Sequence, residues 1–162
     1  SVNGELLWFA SNLLVTGTRQ WARGVVYWNL ALDENHGPHF GGCDLCKGVV
    51  TIDSQTGEVS RNDEYYALAH FSRFVLPGAV RVESTALEKS GLDNVAFQNA
   101  SDGSIVLVMV NSNKDARPIA VANDQTRFEY VMPPRSVATF VWSPDPAVAL
   151  VRRVVWWLKK VQ

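Results

Sequence analysis

Residues 21–52 read WARGVVYWNLALDENHGPHFGGCDLCKGVVTI, and the rest of the chain is organised around this stretch. Val25, Val26, Tyr27, Trp28, Leu30, Ala31 and Leu32 form a β-branched and aromatic run broken only by Asn29. Such a run predicts a strand covered on both faces, as in a parallel α/β sheet, because a half-exposed strand would alternate apolar with polar residues. The following loop carries Asp33, Glu34, His36, His39, Cys43 and Cys46 among Gly37, Pro38, Gly41 and Gly42. Parallel α/β folds place their sites at the C-terminal ends of strands, so the loop is where chemistry is expected.

Upstream, Leu6, Leu7, Ala10, Leu13 and Leu14 recur at helical spacing. They predict a helix over 4–18, with Asn3 as N-cap and Gly17 near its stop. Downstream, a second helix is predicted over 61–75, capped by Ser60 or Asn62 and ended by Pro77 and Gly78. Asp63 and Glu64 sit in its first turn, and Leu68, Phe71, Phe74 and Val75 supply its apolar face.

From Val80 the texture changes to six short β runs: VRVEST, NVAFQNA, SIVLVMVNS, RPIAVAND, RFEYVMP and VATFVW. Spaced about ten residues apart by turn residues, they predict an antiparallel sandwich or barrel, with a domain boundary near Pro77 and Gly78. Ser143–Pro146 then reads as a linker, and AVALVRRVVWWLKKVQ as a basic amphipathic helix. Arg152, Arg153, Lys159 and Lys160 share an arc of about 120°, with Val151, Val154, Leu158 and Val161 opposite. Residues 147–162 are therefore expected either to touch a membrane surface or to dock on the sandwich or a neighbouring chain.

At 162 residues, 47% apolar and 19% charged, the composition is that of a folded protein. A net charge of −1 gives no electrostatic case for nucleic acid as a partner. No run approaches the roughly 20 apolar residues of a membrane span. Ser1 to Gly4 do not open a secretory signal, which bears on compartment only if the chain begins there.

The segments WNLALDENHGPH (28–39), GGCDLCKGVVTI (41–52) and YYALAHFSRFVLPGAVRV (65–82) resemble the C-terminal part of glycoside hydrolase family 30, over about Gly4 to Trp142. That family contains glucosylceramidases and endo-β-1,6-glucanases. The resemblance implies an α/β plus all-β chain. Residues 1–77 would be the last helix–strand–helix of a (β/α)8 TIM barrel, 78–142 an antiparallel β-sandwich, and 143–162 the linker and C-terminal amphipathic helix. It further implies retaining hydrolysis of a β-glucan or glucosylceramide, by double displacement and without a cofactor. The implied partners are a β-linked glucoside and the N-terminal barrel portion, which in the family supplies both catalytic glutamates. No catalytic residue is therefore assigned to this chain, which is expected to be inactive alone and to work outside the cytoplasm.

Trp28 reads equally as a core residue or as a sugar platform, since an indole face stacks on the C–H face of a β-linked sugar. The resemblance selects the platform, because the Trp of this WNLAL motif lines the glycone pocket in the family. The neighbouring Asn29 amide can bond a sugar hydroxyl and would orient the strand end, and His36 and His39 are expected to shape the substrate entrance. By type, His36, His39, Cys43 and Cys46 suit tetrahedral zinc, but their spacing is compressed. A local Cys43–Cys46 disulfide ranks first, free thiols next and zinc last, so no metal is expected. Asp33 and Glu34 read as solvated loop carboxylates. Asn99-Ala100-Ser101 is a glycosylation sequon, placed by Asp102 and Gly103 at an exposed hairpin turn. Two other functions stay open: a stand-alone carbohydrate-binding sandwich, and a membrane-surface protein acting through its basic tail.

Overall fold

A computed structural model describes residues 6–87, 89–124 and 126–143, together with the backbone of Arg152–Trp156. The first helical element, α1, is a π-helical segment Phe9–Val15 running into an α-helical turn Thr16–Arg19. The wider i→i+5 turn explains its buried face. Leu14 and Val15, five residues after Phe9 and Ala10, are buried with them, whereas Leu13 is turned outward. Helix α2 spans Asp63–Ser72, shorter than the predicted 61–75. Asn62 occupies its N-cap position without a side-chain cap bond: its Oδ1 accepts from Thr51 Oγ1, and its Nδ2 donates to Gly48 O and Thr51 Oγ1. Ser60 belongs to a strand.

Among the described residues ten strands follow the order β1 Ala31–Leu32, β2 Val50–Ile52, β3 Val59–Arg61, β4 Val80–Val82, β5 Leu92–Gln98, β6 Ile105–Asn111, β7 Arg117–Ala122, β8 Arg127–Met132, β9 Ser136–Trp142 and β10 Arg152–Trp156. All six runs singled out beyond Val80 are strands. They form a five-stranded antiparallel sheet, β10-β9-β6-β5-β4, facing the two-stranded sheet β7-β8.

The large sheet is covered on both sides. Val95, Phe97, Val106, Val108, Val110 and Val137 pack with Phe9, Ala10, Leu14 and Val15 of α1 and Ala67 of α2. Residues one step out of phase, among them Ala96, Leu107, Met109, Ala138 and Phe140, pack instead with Ile119 and Met132 of the β7–β8 hairpin. This is why IVLVMVN reads as an unbroken apolar run: β6 has two cores to fill and no wet face.

The predicted C-terminal helix is replaced by strand β10, which pairs Arg152 with Val141 and Trp156 with Val137. The edge of β9 offers unpaired backbone groups, and a Val- and Trp-rich segment beside it gains more from the ladder than from an isolated helix. Residues 144–151 and 157–162, on which most of the linker, Lys159 and Lys160 of the basic arc and most of the expected membrane contact depend, lie outside the described residues.

Polar contacts lock α1 and α2 to the sheet. Ser11 Oγ donates to Asp93 Oδ2 at 2.6 Å, and the Arg19 guanidinium donates to Ser84 Oγ and to the Asn94 carbonyl. Fully buried His70 meets Thr139 Oγ1 through Nδ1 at 2.8 Å, while that hydroxyl donates to the His70 carbonyl. The hydroxyl proton is thus committed, which makes Nδ1–H the donor to it. Burial lowers the imidazole pKa from 6.5 to about 4. At pH 7 His70 is neutral whether the chain is folded or unfolded. As pH falls below 6.5 only the unfolded chain takes up the proton, so stability is lost until about pH 4, where the folded form also protonates. The full loss is on the order of 3 kcal/mol. Urea midpoints for the wild type should therefore fall between pH 7.5 and pH 4.5, and H70Q should remove most of that fall; a pH-independent wild-type midpoint would contradict this account.

Candidate functional site

The segment leading to the loop is extended but mostly unpaired. Only Ala31–Leu32 of the predicted strand 25–32 forms a ladder, running parallel to β2. Its side chains alternate. Val25 and Tyr27 turn onto the α1–α2 core, where Tyr27 meets Phe9 edge-to-face and donates to Glu64 Oε1. Val26 is 96% exposed, Leu30 73% and Trp28 53%. The expectation of two covered faces is corrected here, since no described element packs on the outward side.

Beyond Leu32 the loop is built by a carboxylate. Asp33 Oδ1 accepts from the backbone N–H of Asn35 (2.9 Å) and Gly37 (2.7 Å), and Asp33 N donates to Gly37 O. This Asx-type turn takes His36 to a φ of 65° and leads into the cis Gly37–Pro38 bond. Glu34 is clamped sideways: Ser54 Oγ and Ser54 N both donate to its carboxylate, at 2.6 and 2.9 Å. Those two bonds hold the Glu34 pKa below the ordinary carboxylate value. Both residues therefore fasten the loop; Glu34 is also solvent-exposed, as the sequence suggested, and Asp33 is half-buried. The D-E-N-H-G spacing carried the signal for the Asp33 turn; the reach of Glu34 to Ser54 had none.

The loop returns beside its own start. Asn29 O accepts from Val49 N, Leu30 O from Val50 N, and Trp28 Nε1 donates to Lys47 O at 3.3 Å. Contact at this crossing requires Gly48, where a Cβ would lie 2.9 Å from Val50 O and 3.0 Å from Ala31 Cα. Asn29 Oδ1 accepts from Ala31 N, leaving Nδ2 as its unengaged donor among the described residues. His39 Nε2 stands 3.8 Å from Asp44 Oδ1, and Cys43 and Cys46 are joined as a disulfide. The two sulfurs bond each other, so they are not zinc ligands. Among the described residues no group of three His, Cys, Asp or Glu is placed to hold a metal. The sequence singled out Trp28, Cys43 and Cys46 but missed the Lys47 carbonyl between them, because a backbone acceptor leaves no mark on residue type.

Two other features lie apart from this site. A cavity of about 580 Å³ between the two sandwich sheets is lined by Val82, Leu87, Leu107, Met109 and Trp142, among others, and shares no residue with the 28–47 segment. The sequon asparagine is buried: Asn99 accepts from Leu76 N and donates to Phe74 O and Ser104 Oγ. Its expected exposure is overturned, because the amide joins the end of α2 to the β5–β6 turn and is not available for a glycan.

Residues 78–140 match the family model described as the glycosyl hydrolase family 30 beta sandwich domain. The chain is 40% identical over 110 residues to an endo-1,6-beta-D-glucanase of Neurospora crassa, covering 64% of this chain and 23% of that protein. It is 29% identical over 133 residues to the lysosomal acid glucosylceramidase of Mus musculus, covering 82% and 25%. Among solved structures, the endo-beta1,6-glucanase BT3312 superposes with a TM-score of 0.78 at 36% identity, over 86% of this chain and 31% of that one. This is a family 30 sandwich with helices packed on its large sheet. The chain belongs to glycoside hydrolase family 30 as part of its C-terminal portion, and it spans about a quarter of the length of the curated relatives it matches.

The Asp33 turn gives a direct test of the loop's construction. D33A should accelerate amide exchange at Asn35 and Gly37 by about tenfold and lower global stability by about 1 kcal/mol, while D33N, which keeps an acceptor, should do much less. Unchanged exchange in D33A would show that the turn stands without the carboxylate.

Proposed function

We propose that this chain forms one wall of the sugar cleft of a retaining β-glycosidase, with residues 1–77 completing a (β/α)8 barrel and 78–142 its attached sandwich. The observation that carries the reading is Trp28. Its large aromatic face is half exposed at the open end of an extended segment, and its indole N–H is tied down by the Lys47 carbonyl. A held, half-exposed indole is what a sugar platform requires, because stacking uses its face and the hydrogen bond limits its rotation. Asn29 Nδ2 would meet a sugar hydroxyl, and His36 and His39 on the loop would border the entrance.

The outward row of Val26 and Leu30 is the surface against which further barrel strands would pack. Two carboxyl groups about 5–5.5 Å apart would then act as nucleophile and acid/base. Asp33 and Glu34 are already committed to the loop, so that pair is assigned to the remainder of the barrel. The substrate class is a β-linked glucoside. The names of the relatives, endo-1,6-β-glucanase and glucosylceramidase, support this and favour β-1,6-glucan, with which the higher identities are found. A disulfide in an exposed loop fits an extracytoplasmic protein.

Isothermal titration with β-1,6-linked gluco-oligosaccharides at millimolar concentration should give measurable heat with the wild-type chain. W28A should weaken binding about tenfold or abolish it. No heat with the wild type, or equal binding by W28A, overturns the platform reading.

A further inference from the structure

We propose that the Cys43–Cys46 disulfide is the positioning element of the Trp28 platform, so that its reduction releases the indole. The proposal rests on the reading of Trp28 as a sugar platform only in its consequence for glycan binding; the mechanical link is independent of it. Lys47, whose carbonyl receives the indole N–H, is bonded directly to Cys46. Between Pro38 and Lys47 the loop is otherwise poorly held. Phe40 is fully exposed, Leu45 is 80% exposed, and Gly41 and Gly42 both lie in the left-handed region, at φ 72° and 91°.

Among the described residues, the polar and covalent side-chain links in this stretch besides the indole bond are two: the disulfide and the 3.8 Å approach of His39 to Asp44. The bonds that fix the returning chain begin at Gly48, whose carbonyl accepts from Asn62 Nδ2, and at Val49, which donates to Asn29 O. Lys47 therefore lies between a chain fixed at Gly48 immediately downstream and a four-residue ring immediately upstream. Opening the ring frees glycine-rich backbone that, among the described residues, is held otherwise by the long His39–Asp44 approach, and the Lys47 carbonyl is no longer directed at Trp28.

Reduction by a dithiol balances as a two-electron exchange. The S–S bond breaks, two electrons and two protons pass to Cys43 and Cys46 to give two thiols, and the dithiol closes to its own disulfide. A bridge in an exposed loop is open to that attack.

The test follows the indole N–H resonances of the ¹⁵N-labelled chain, with that of Trp28 identified by its absence in W28F. Dithiothreitol should shift the Trp28 resonance and quicken its exchange with solvent, while the other resolved indole signals stay in place. The double variant C43S/C46S should show the shifted position without reductant and no further response to it. A Trp28 resonance that is unmoved by reduction and by the double substitution overturns the proposal. In parallel, affinity for β-1,6-linked gluco-oligosaccharides should fall about fivefold on reduction, the worth of one net hydrogen bond. If the oxidised chain binds no glucan, the sugar-platform reading falls, while the indole resonance alone still decides whether the bridge positions Trp28.

Discussion

Strand β6 has no side that faces water, and most of the architecture follows from that constraint. Val106, Val108 and Val110 enter one core while Leu107 and Met109 enter the other. Each such side chain contributes about 1.5–3 kcal/mol only if something covers it. Two covering layers are therefore needed. The α1–α2 pair supplies one and the β7–β8 hairpin the other, and β5 and β9 carry the same two-phase pattern on either side of β6.

The helices and the sandwich consequently share a core. Ala67 of α2 and Ala10 of α1 are wholly buried in the same cluster as Val95 and Val108 of the sheet. Apolar contact alone would allow the layers to slide. The directional bonds Ser11–Asp93, Arg19–Ser84 and His70–Thr139 set one register between them. Asn99 performs the same service beyond the other end of α2, pairing the Leu76 N–H and the Phe74 carbonyl of the segment that follows the helix.

That rigid block determines where the loop can go. Tyr27, held by Phe9 and Glu64, fixes the inward face of the extended segment, so alternation sends Trp28 outward. The crossing at Gly48 then brings Lys47 beneath the indole. A half-exposed aromatic is thereby set by two neighbours, one from the core and one from the loop. Its exposure follows from the fold, with no local strain at Trp28 involved.

The sequence by itself determined the β-sandwich strands, because turn residues at regular spacing and apolar runs of strand length are local signals. It determined that a second helix follows Asn62, although the helix ends at Ser72, five residues before Pro77 and Gly78, and it marked the loop as the place where polar and reactive side chains gather. Only the tertiary structure decided the rest. Burial of the 25–32 run depends on which strands lie beside it, and one side has none among the described residues. The wide turn of α1, the buried use of Asn99 and the pairing of Arg152–Trp156 with β9 all depend on groups that are close in space and remote in the chain. Residue type records what a side chain can do; which partner is within 3 Å of it is settled by the packing of layers, and periodicity carries no information about that.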